Sequence, residues 1–332
     1  MRIGLLGVGR LGASHAESLS TLKDVSELRI YDADPARAKA VAEPLRDARS
    51  VDSVDAALRD VDAVVIVTPT ATHAPLIRRA LDARLPTFCE KPIAMGIPET
   101  RDIVGHVAKT KGKLQIGFQR RFDAGYRAAK AELREGKVGT AYSFYMTSRD
   151  REPPPDAYIE TSGGQFKDQM IHDFDITRWL FEAEVDELFA MGSTLGFPRY
   201  ERVGDVATSS VALRLENGTL GLVSAARDNR AGYDIRVEIY GSKDSIAIGL
   251  DPRAPLRSVE KDAPTLASPA YPSFFVRFGD AYRAELAHFL RFARGEAESA
   301  CTAQDALEAL RIAEAAGRSW RERRPVPLSE IA

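Results

Sequence analysis

Apolar and polar positions alternate in blocks along the first third of the chain. Short apolar runs at 2–6, 28–31, 63–67, 86–89 and 114–117 are separated by longer, partly polar stretches. The run at 63–67 is almost wholly Val and Ile, the pattern of a strand covered on both faces. The intervening stretches predict helices over 13–22, 36–42, 54–58, 73–83 and 98–110. Strand–helix alternation of this kind demands a parallel sheet. After about Gly117 the pattern changes. A predicted helix over 124–135 leads to a strand over 141–147, a loop marked by Pro153-Pro154-Pro155 and a helix over 167–181. Closely spaced strand patterns follow at 185–191, 207–216, 220–226, 234–240 and 245–249, and Asn217-Gly218 gives a strong hairpin signal. Long helical patterns at 276–294 and 303–321 close the chain. The expectation is an α/β domain over 1–119 joined to an α+β domain over 120–332. The second should carry a large, mostly antiparallel open sheet, with one face on helices and the other on solvent or a partner.

Composition narrows the class without changing the architecture. The chain has 332 residues, enough for two cores, and its 44% hydrophobic and 28% charged content is ordinary for a globular protein. A net charge of -2 without a basic stripe argues against nucleic acid as the main partner. No apolar run approaches the length of a membrane span. The chain enters its first strand at once, which leaves no room for a signal peptide. Two cysteines, Cys89 and Cys301, are too few for a disulfide framework or a thiolate metal site, so a reducing cytoplasm is the expected home. Cys89 is expected to act as a small buried apolar residue.

Candidate chemistry begins at the first strand. Gly7-Val8-Gly9-Arg10-Leu11-Gly12 is a complete G-x-G-x-x-G between a strand and a helix. Gly7 allows the tight turn, Gly9 lets a pyrophosphate approach the backbone, and Gly12 permits close helix–strand packing. The helix start at Arg10 and Leu11 offers N–H groups to phosphate. Asp32 ends the second strand, where a carboxylate can bind ribose hydroxyls and repel a 2′-phosphate. The first domain is therefore expected to be a Rossmann dinucleotide-binding domain. NAD is favoured over NADP, with Arg37 near enough to soften the preference. Thr68, Pro69 and His73 follow the 63–67 strand and should wall the same sheet edge. Glu90-Lys91-Pro92 follows the next one. Pro92 keeps Lys91 out of the helical region, so its ammonium is held on a stiff turn.

A second candidate lies at 168–175. On one continuous helix Asp168, His172 and Asp175 would share a face. A carboxylate beside an imidazole fixes its tautomer and stabilises its protonated form, which suits a proton acceptor. The same residues also fit a solvated helix-stabilising contact or a divalent-metal site. Gly163-Gly164 just before them suggests close backbone approach or a lid. His15, His106 and His288 read as helix-packing or surface residues.

Taken together, the fingerprint, Thr68-Pro69-Thr70-Ala71-Thr72-His73, Glu90-Lys91-Pro92, Gly117-Phe118-Gln119-Arg120-Arg121-Phe122-Asp123 and Asp168-x-x-x-His172 resemble the glucose–fructose oxidoreductase / inositol dehydrogenase family, Gfo/Idh/MocA. The resemblance covers nearly the whole chain. Arg120 to Tyr126, Ile171 to Asp175 with Trp179-Leu180, and Gly232 to Ile235 are closest to inositol 2-dehydrogenases. The resemblance implies NAD(P)-dependent oxidation of a ring hydroxyl, most simply myo-inositol to 2-keto-myo-inositol, with scyllo-inositol or an aldose as alternatives. It implies no metal, and often a homotetramer built through the second sheet. By position, Lys91 is implied to bond the reacting hydroxyl, His172 to accept its proton and Asp168 to orient His172. Arg120, Asp150, Asp175 and Tyr233 are implied as further substrate contacts, and Gln119 and Glu90 as cofactor contacts. One departure stands out. The loop Arg149-Asp150-Arg151-Glu152 carries carboxylates where the inositol enzymes are expected to carry histidine and asparagine. A different class of function, a non-catalytic NAD-binding sensor, would have no need of Lys91, Asp168 and His172 together.

Overall fold

The protein is described by a computed structural model covering residues 1–263 and 268–332. The chain divides into two compact units, 1–122 with 280–308, and 123–279 with 309–332. The sequence expectation ended the first domain at 119 and gave everything beyond to the second. The boundary is close, but residues 280–308 return to the first unit. Leu286, Phe289, Leu290 and Phe292 join the core formed by Ile3, Leu5, Leu28, Val65 and Phe88, and the Phe88 and Phe289 rings lie 5.7 Å apart.

The first unit contains a six-stranded parallel sheet. Its strands are β1 (Arg2–Leu6), β2 (Glu27–Tyr31), β3 (Ala48–Ser50), β4 (Ala63–Ile66), β5 (Thr87–Glu90) and β6 (Leu114–Gly117), in the order β3-β2-β1-β4-β5-β6. This is the doubly wound order, whose switch point lies between β1 and β4. Every residue of β4 and β5 is buried, as an apolar run covered on both faces requires. The helices are α1 (Arg10–Thr21), α2 (Pro35–Ala42), α3 (Val54–Leu58), α4 (His73–Asp82) and α5 (Ile97–Thr110). On α1 the buried positions are Gly12, His15, Ala16 and Leu19, a helical stripe. Asp34 caps α2 by accepting from the N–H groups of Ala36 and Arg37, with Pro35 at the first helical position.

The second unit is built on α6 (Ala124–Arg134) and a seven-stranded sheet. Its strands are β7 (Ala141–Arg149), β8 (Val185–Ser193), β9 (Thr208–Leu215), β10 (Leu220–Ala226), β11 (Asp234–Gly241), β12 (Ser245–Ile248) and the short β13 (Val326–Pro327). The order is β12-β11-β7-β10-β9-β8-β13, and only the β7–β10 pair is parallel. The hairpin at Asn217-Gly218 joins β9 to β10, with Gly218 at φ +89° as such a turn needs. Side chains alternate. Phe144, Met146, Val211 and Val223 are buried on one face, while Tyr145 and Leu222 are exposed on the other.

The helix expected over 167–181 is interrupted. The segment comprises α7 (Asp156–Thr161), α8 (Gln165–Asp168) and α9 (Ile171–Phe181). Gln169 and Met170 form the joint, where the Met170 N–H reaches the Gln165 carbonyl and the Asp173 N–H the Met170 carbonyl. The cause is anchoring from the side. The Gln169 amide donates to the Ala226 carbonyl, and Gln165 bonds Ala207 and Ser209. Gly163 and Gly164 both have positive φ, and a Cβ on Gly164 would lie 2.9 Å from the Asp205 carboxylate. Of the two readings offered for this glycine pair, close approach is the one observed. The remaining helices are α10 (Pro198–Arg202), α11 (Phe274–Arg294), kinked at Phe278, and α12 (Ala303–Glu322).

Candidate active site

In the first unit the fingerprint glycines meet their expected constraints. Gly7 has φ +89°, and a Cβ on it would lie 2.8 Å from Thr68. A Cβ on Gly12 would sit 2.1 Å from the Gly7 carbonyl oxygen, so only glycine lets α1 start this close to β1. Gly9 faces open space within 4 Å of the position a Cβ would take. Gly9 at the N-cap makes no side-chain capping bond, and the α1 N-terminus carries the partial positive charge that favours an anion. These features fit a dinucleotide pyrophosphate.

Asp32, 8% exposed at the end of β2, accepts from the Val8 N–H at 2.8 Å through one oxygen and from the Asp34 N–H at 2.9 Å through the other. Arg37 approaches the second oxygen at 3.4 Å. The carboxylate thus holds the glycine loop, with Arg37 beside it.

Thr68 and Pro69 follow β4, Lys91 follows β5 and Gln119 follows β6, all at the carboxyl edge of the sheet. His73, after β4, and Glu90, which ends β5, are held by bonds within the protein. Both ring nitrogens of His73 lie 2.7 Å from backbone carbonyls, Nδ1 from Pro92 and Nε2 from Thr68, and the residue is 1% exposed. Burial pushes its imidazole below the ordinary value, while both carbonyls pull it upward. A neutral imidazole carries one N–H, so His73 donates to one of these carbonyls and packs against the other, which keeps the turn after β4 beside the turn after β5. Glu90 is also buried. Its Oε1 meets His15 Nε2 at 2.8 Å, and its Oε2 accepts from the Lys91 N–H at 3.3 Å. A buried carboxylate needs such partners, so Glu90 supports the Lys91 turn from below. The Lys91–Pro92 peptide is cis. His15 packs between Phe88 and Tyr282, and His288 bonds Gln115 at 3.0 Å, both packing roles as expected. His106 pairs with Asp82.

In the second unit Asp168 closes α8 and His172 lies in the first turn of α9, so they do not share one uninterrupted helix as the spacing suggested. Asp168 Oδ1 accepts from the Tyr158 hydroxyl at 2.8 Å, and Oδ2 accepts from Arg227 Nη1 at 2.8 Å. Asp150 Oδ2 lies 3.7 Å from the same Nη1. Arg227 is buried, and the carboxylates of Asp168, Asp150 and Asp205 hold its guanidinium above its already high value against the opposing effect of burial. Neither Tyr158 nor Arg227 was singled out from the sequence, because a lone arginine after a strand reads as a solvated end. Asp175 on α9 is buried, and its neighbour Asp173 accepts from the Ser148 hydroxyl at 2.7 Å and 2.8 Å. The Tyr233 ring is buried and meets Phe278 edge-on at 6.4 Å. Arg120 is buried in a short 3-10 turn, Gln119–Phe122, of the first unit. Among the described residues no three His, Cys, Asp or Glu side chains gather as a metal site, and Asp168, His172 and Asp175 do not form one.

A doubly wound sheet with an intact dinucleotide fingerprint and an acidic β2 terminus defines an NAD-binding oxidoreductase. Residues 1–118 match the family model described as an oxidoreductase family with an NAD-binding Rossmann fold, and residues 126–247 match the GFO/IDH/MocA C-terminal domain. The chain belongs to the Gfo/Idh/MocA family of oxidoreductases. It is 37% identical to the inositol 2-dehydrogenase of Rhizobium meliloti (strain 1021), over 99% of each chain. Its fold superposes on a myo-inositol dehydrogenase from Corynebacterium glutamicum with a TM-score of 0.91 at 33% identity, covering 99% of this chain and 98% of the other. The scyllo-inositol dehydrogenase of Lactobacillus casei, solved with bound NAD(H) and scyllo-inositol, gives 0.87 at 28% identity over 99% of each chain.

Proposed function

We propose that this oxidoreductase is an NAD-dependent inositol dehydrogenase that oxidises a ring hydroxyl of myo-inositol, with scyllo-inositol as the next candidate. The observation that carries the reading is the presence of Lys91, Asp168 and His172 in a chain 37% identical to an inositol 2-dehydrogenase over 99% of each. Oxidising a secondary alcohol removes a hydride from carbon and a proton from oxygen. NAD, when bound, supplies the hydride acceptor. Gly7, Gly9, Arg10, Leu11 and Gly12 would hold its pyrophosphate and Asp32 its ribose. His172 takes the hydroxyl proton as general base, a contribution of about 10²–10⁴-fold. Asp168 fixes the imidazole and supports its positive charge. Lys91, on its supported turn, donates to the hydroxyl oxygen and stabilises the developing alkoxide. Arg120, Asp150, Asp175 and Tyr233 are the proposed grips on the remaining hydroxyls. Assembly into a homotetramer through the open face of the second sheet, and a cytoplasmic setting consistent with two buried free cysteines, complete the proposal.

The test is NADH formation on a panel of inositol isomers and aldoses. Turnover on myo- or scyllo-inositol is expected, and His172→Ala should lower kcat by about a hundredfold or more with NAD affinity retained. Tight NAD binding without turnover on any polyol would favour a sensor, and near-full activity of His172→Ala would remove that residue from the mechanism.

A further inference from the structure

The buried Arg227 cluster has a role that the hydride chemistry does not itself require. Arg227 and Asp150 leave the sheet side by side. β7 and β10 are parallel neighbours with Arg149 opposite Ala226, so the next residue on each strand is Asp150 and Arg227. The Asp150 N–H donates to the Ala226 carbonyl at 2.9 Å, and the Arg227 N–H to Ala207 at 2.8 Å, which fixes both backbones. Asp168 reaches the same guanidinium from the end of α8. The side chains are 4% exposed for Arg227, 12% for Asp168 and 27% for Asp150, so exposure increases outward from the arginine. A buried guanidinium is retained only where charge partners repay its desolvation. Here one cation meets Asp168, the proposed support of the base, and Asp150, on the loop proposed to read the substrate.

We propose that Arg227 is a positioning residue that ties Asp168 to Asp150, so that proton acceptance and hydroxyl recognition are held by one charged linkage. This rests on the dehydrogenase reading above. The linkage explains why a carboxylate is tolerated at Asp150. Asp150 is pinned by a cation this chain supplies, rather than left as an unpaired charge beside Asp168.

A double-mutant cycle tests it, with kcat and KM for myo-inositol followed by NADH absorbance, NAD affinity by calorimetry and folding by circular dichroism. Arg227→Met should lower kcat/KM by about a hundredfold, because a buried partner is left uncompensated. NAD affinity should stay within about twofold of the wild type, since the fingerprint is untouched. Arg227→Lys should recover at least about tenfold of that loss, since it keeps the charge without the fork. Asp150→Asn should cost far less in the Arg227→Met background than alone, because its partner has already gone. If Arg227→Met does not fold, Arg227→Gln with and without Asp150→Asn completes the same cycle. Additive effects, a parallel loss of NAD affinity, or Arg227→Met activity within threefold of wild type would overturn the proposal while leaving the dehydrogenase reading intact. A wild-type protein inactive on every polyol would overturn both.

Discussion

At the scale of single residues, the cofactor end rests on side chains that do two jobs at once. Asp32 holds the glycine loop through the Val8 N–H and is also the proposed partner of the cofactor ribose. Asp32→Ser should therefore weaken NAD binding and, with Arg37 released, shift the NAD-to-NADP affinity ratio on the order of ten- to a hundredfold toward NADP. Titrating both cofactors against the two proteins checks this, and an unchanged ratio would show that Arg37 and not Asp32 sets the preference. His73 carries a pH dependence. Its folded value lies below the ordinary 6.5, chiefly through burial. The unfolded chain thus binds the proton more readily, so the contribution of the neutral ring is complete above about pH 6.5 and is lost as pH falls through the folded value. Melting temperatures from pH 7.5 down to 5 should fall more steeply for the wild type than for His73→Gln, and equal slopes would refute the depressed imidazole.

At the scale of elements, α11 is the piece whose place the sequence misassigned. Its apolar periodicity is the same whichever core it joins, and tertiary contact decides the matter, with Leu286, Phe289, Leu290 and Phe292 packed among Ile3, Leu28 and Phe88. Phe289→Ala should destabilise the first unit by about 3–5 kcal/mol, the usual cost of deleting a buried aromatic ring. Denaturation followed by a first-unit probe such as NAD binding would register it, and a loss under 1 kcal/mol would mean that 280–308 is peripheral to that core. The contrast with the fingerprint is instructive. Gly7, Gly12 and Asp32 were legible because each answers a local backbone demand that few residue types can meet. The six strand positions were nearly as clear, except β3, whose Ala48-Arg49-Ser50 has neither an apolar run nor alternation. The break between α8 and α9 was not legible, because Gln169 and Met170 keep helical angles and the apolar spacing runs on. What breaks it is Gln169 bonding a strand 57 residues away. Arg227 was invisible for the same reason, since its partner Asp168 lies 59 residues away in sequence.

At the scale of the whole molecule, the second sheet leaves a face that one chain does not cover. Its inner face is closed by helices, with Phe144 stacked on Phe181 at 4.6 Å and Thr177 against Met146. Its outer face carries a continuous apolar row. Phe189 lies opposite Ala212, Ala212 opposite Leu222, and Leu222 opposite Tyr145 across four adjacent strands. Tyr145, Leu220, Leu222, Tyr240 and Met191 are all exposed there, and Tyr145 meets Tyr240 edge-on at 5.7 Å. Exposed apolar positions gathered on one face mark an interaction site rather than the scattered apolar residues of an ordinary surface. A self-complementary patch of this kind suits a twofold interface, where each residue meets its own surroundings in the partner. Charge at the centre of such a patch is doubled by the symmetry, so like carboxylates would face each other at a cost of several kcal/mol. The variant Tyr145→Glu with Leu222→Glu should therefore reduce the proposed homotetramer to a smaller species in sedimentation or light scattering. NAD affinity should be retained, because the fingerprint belongs to the other unit. An unchanged mass would move the tetramer contact away from this sheet, and a wild-type protein already monomeric at micromolar concentration would remove the tetramer from the proposal.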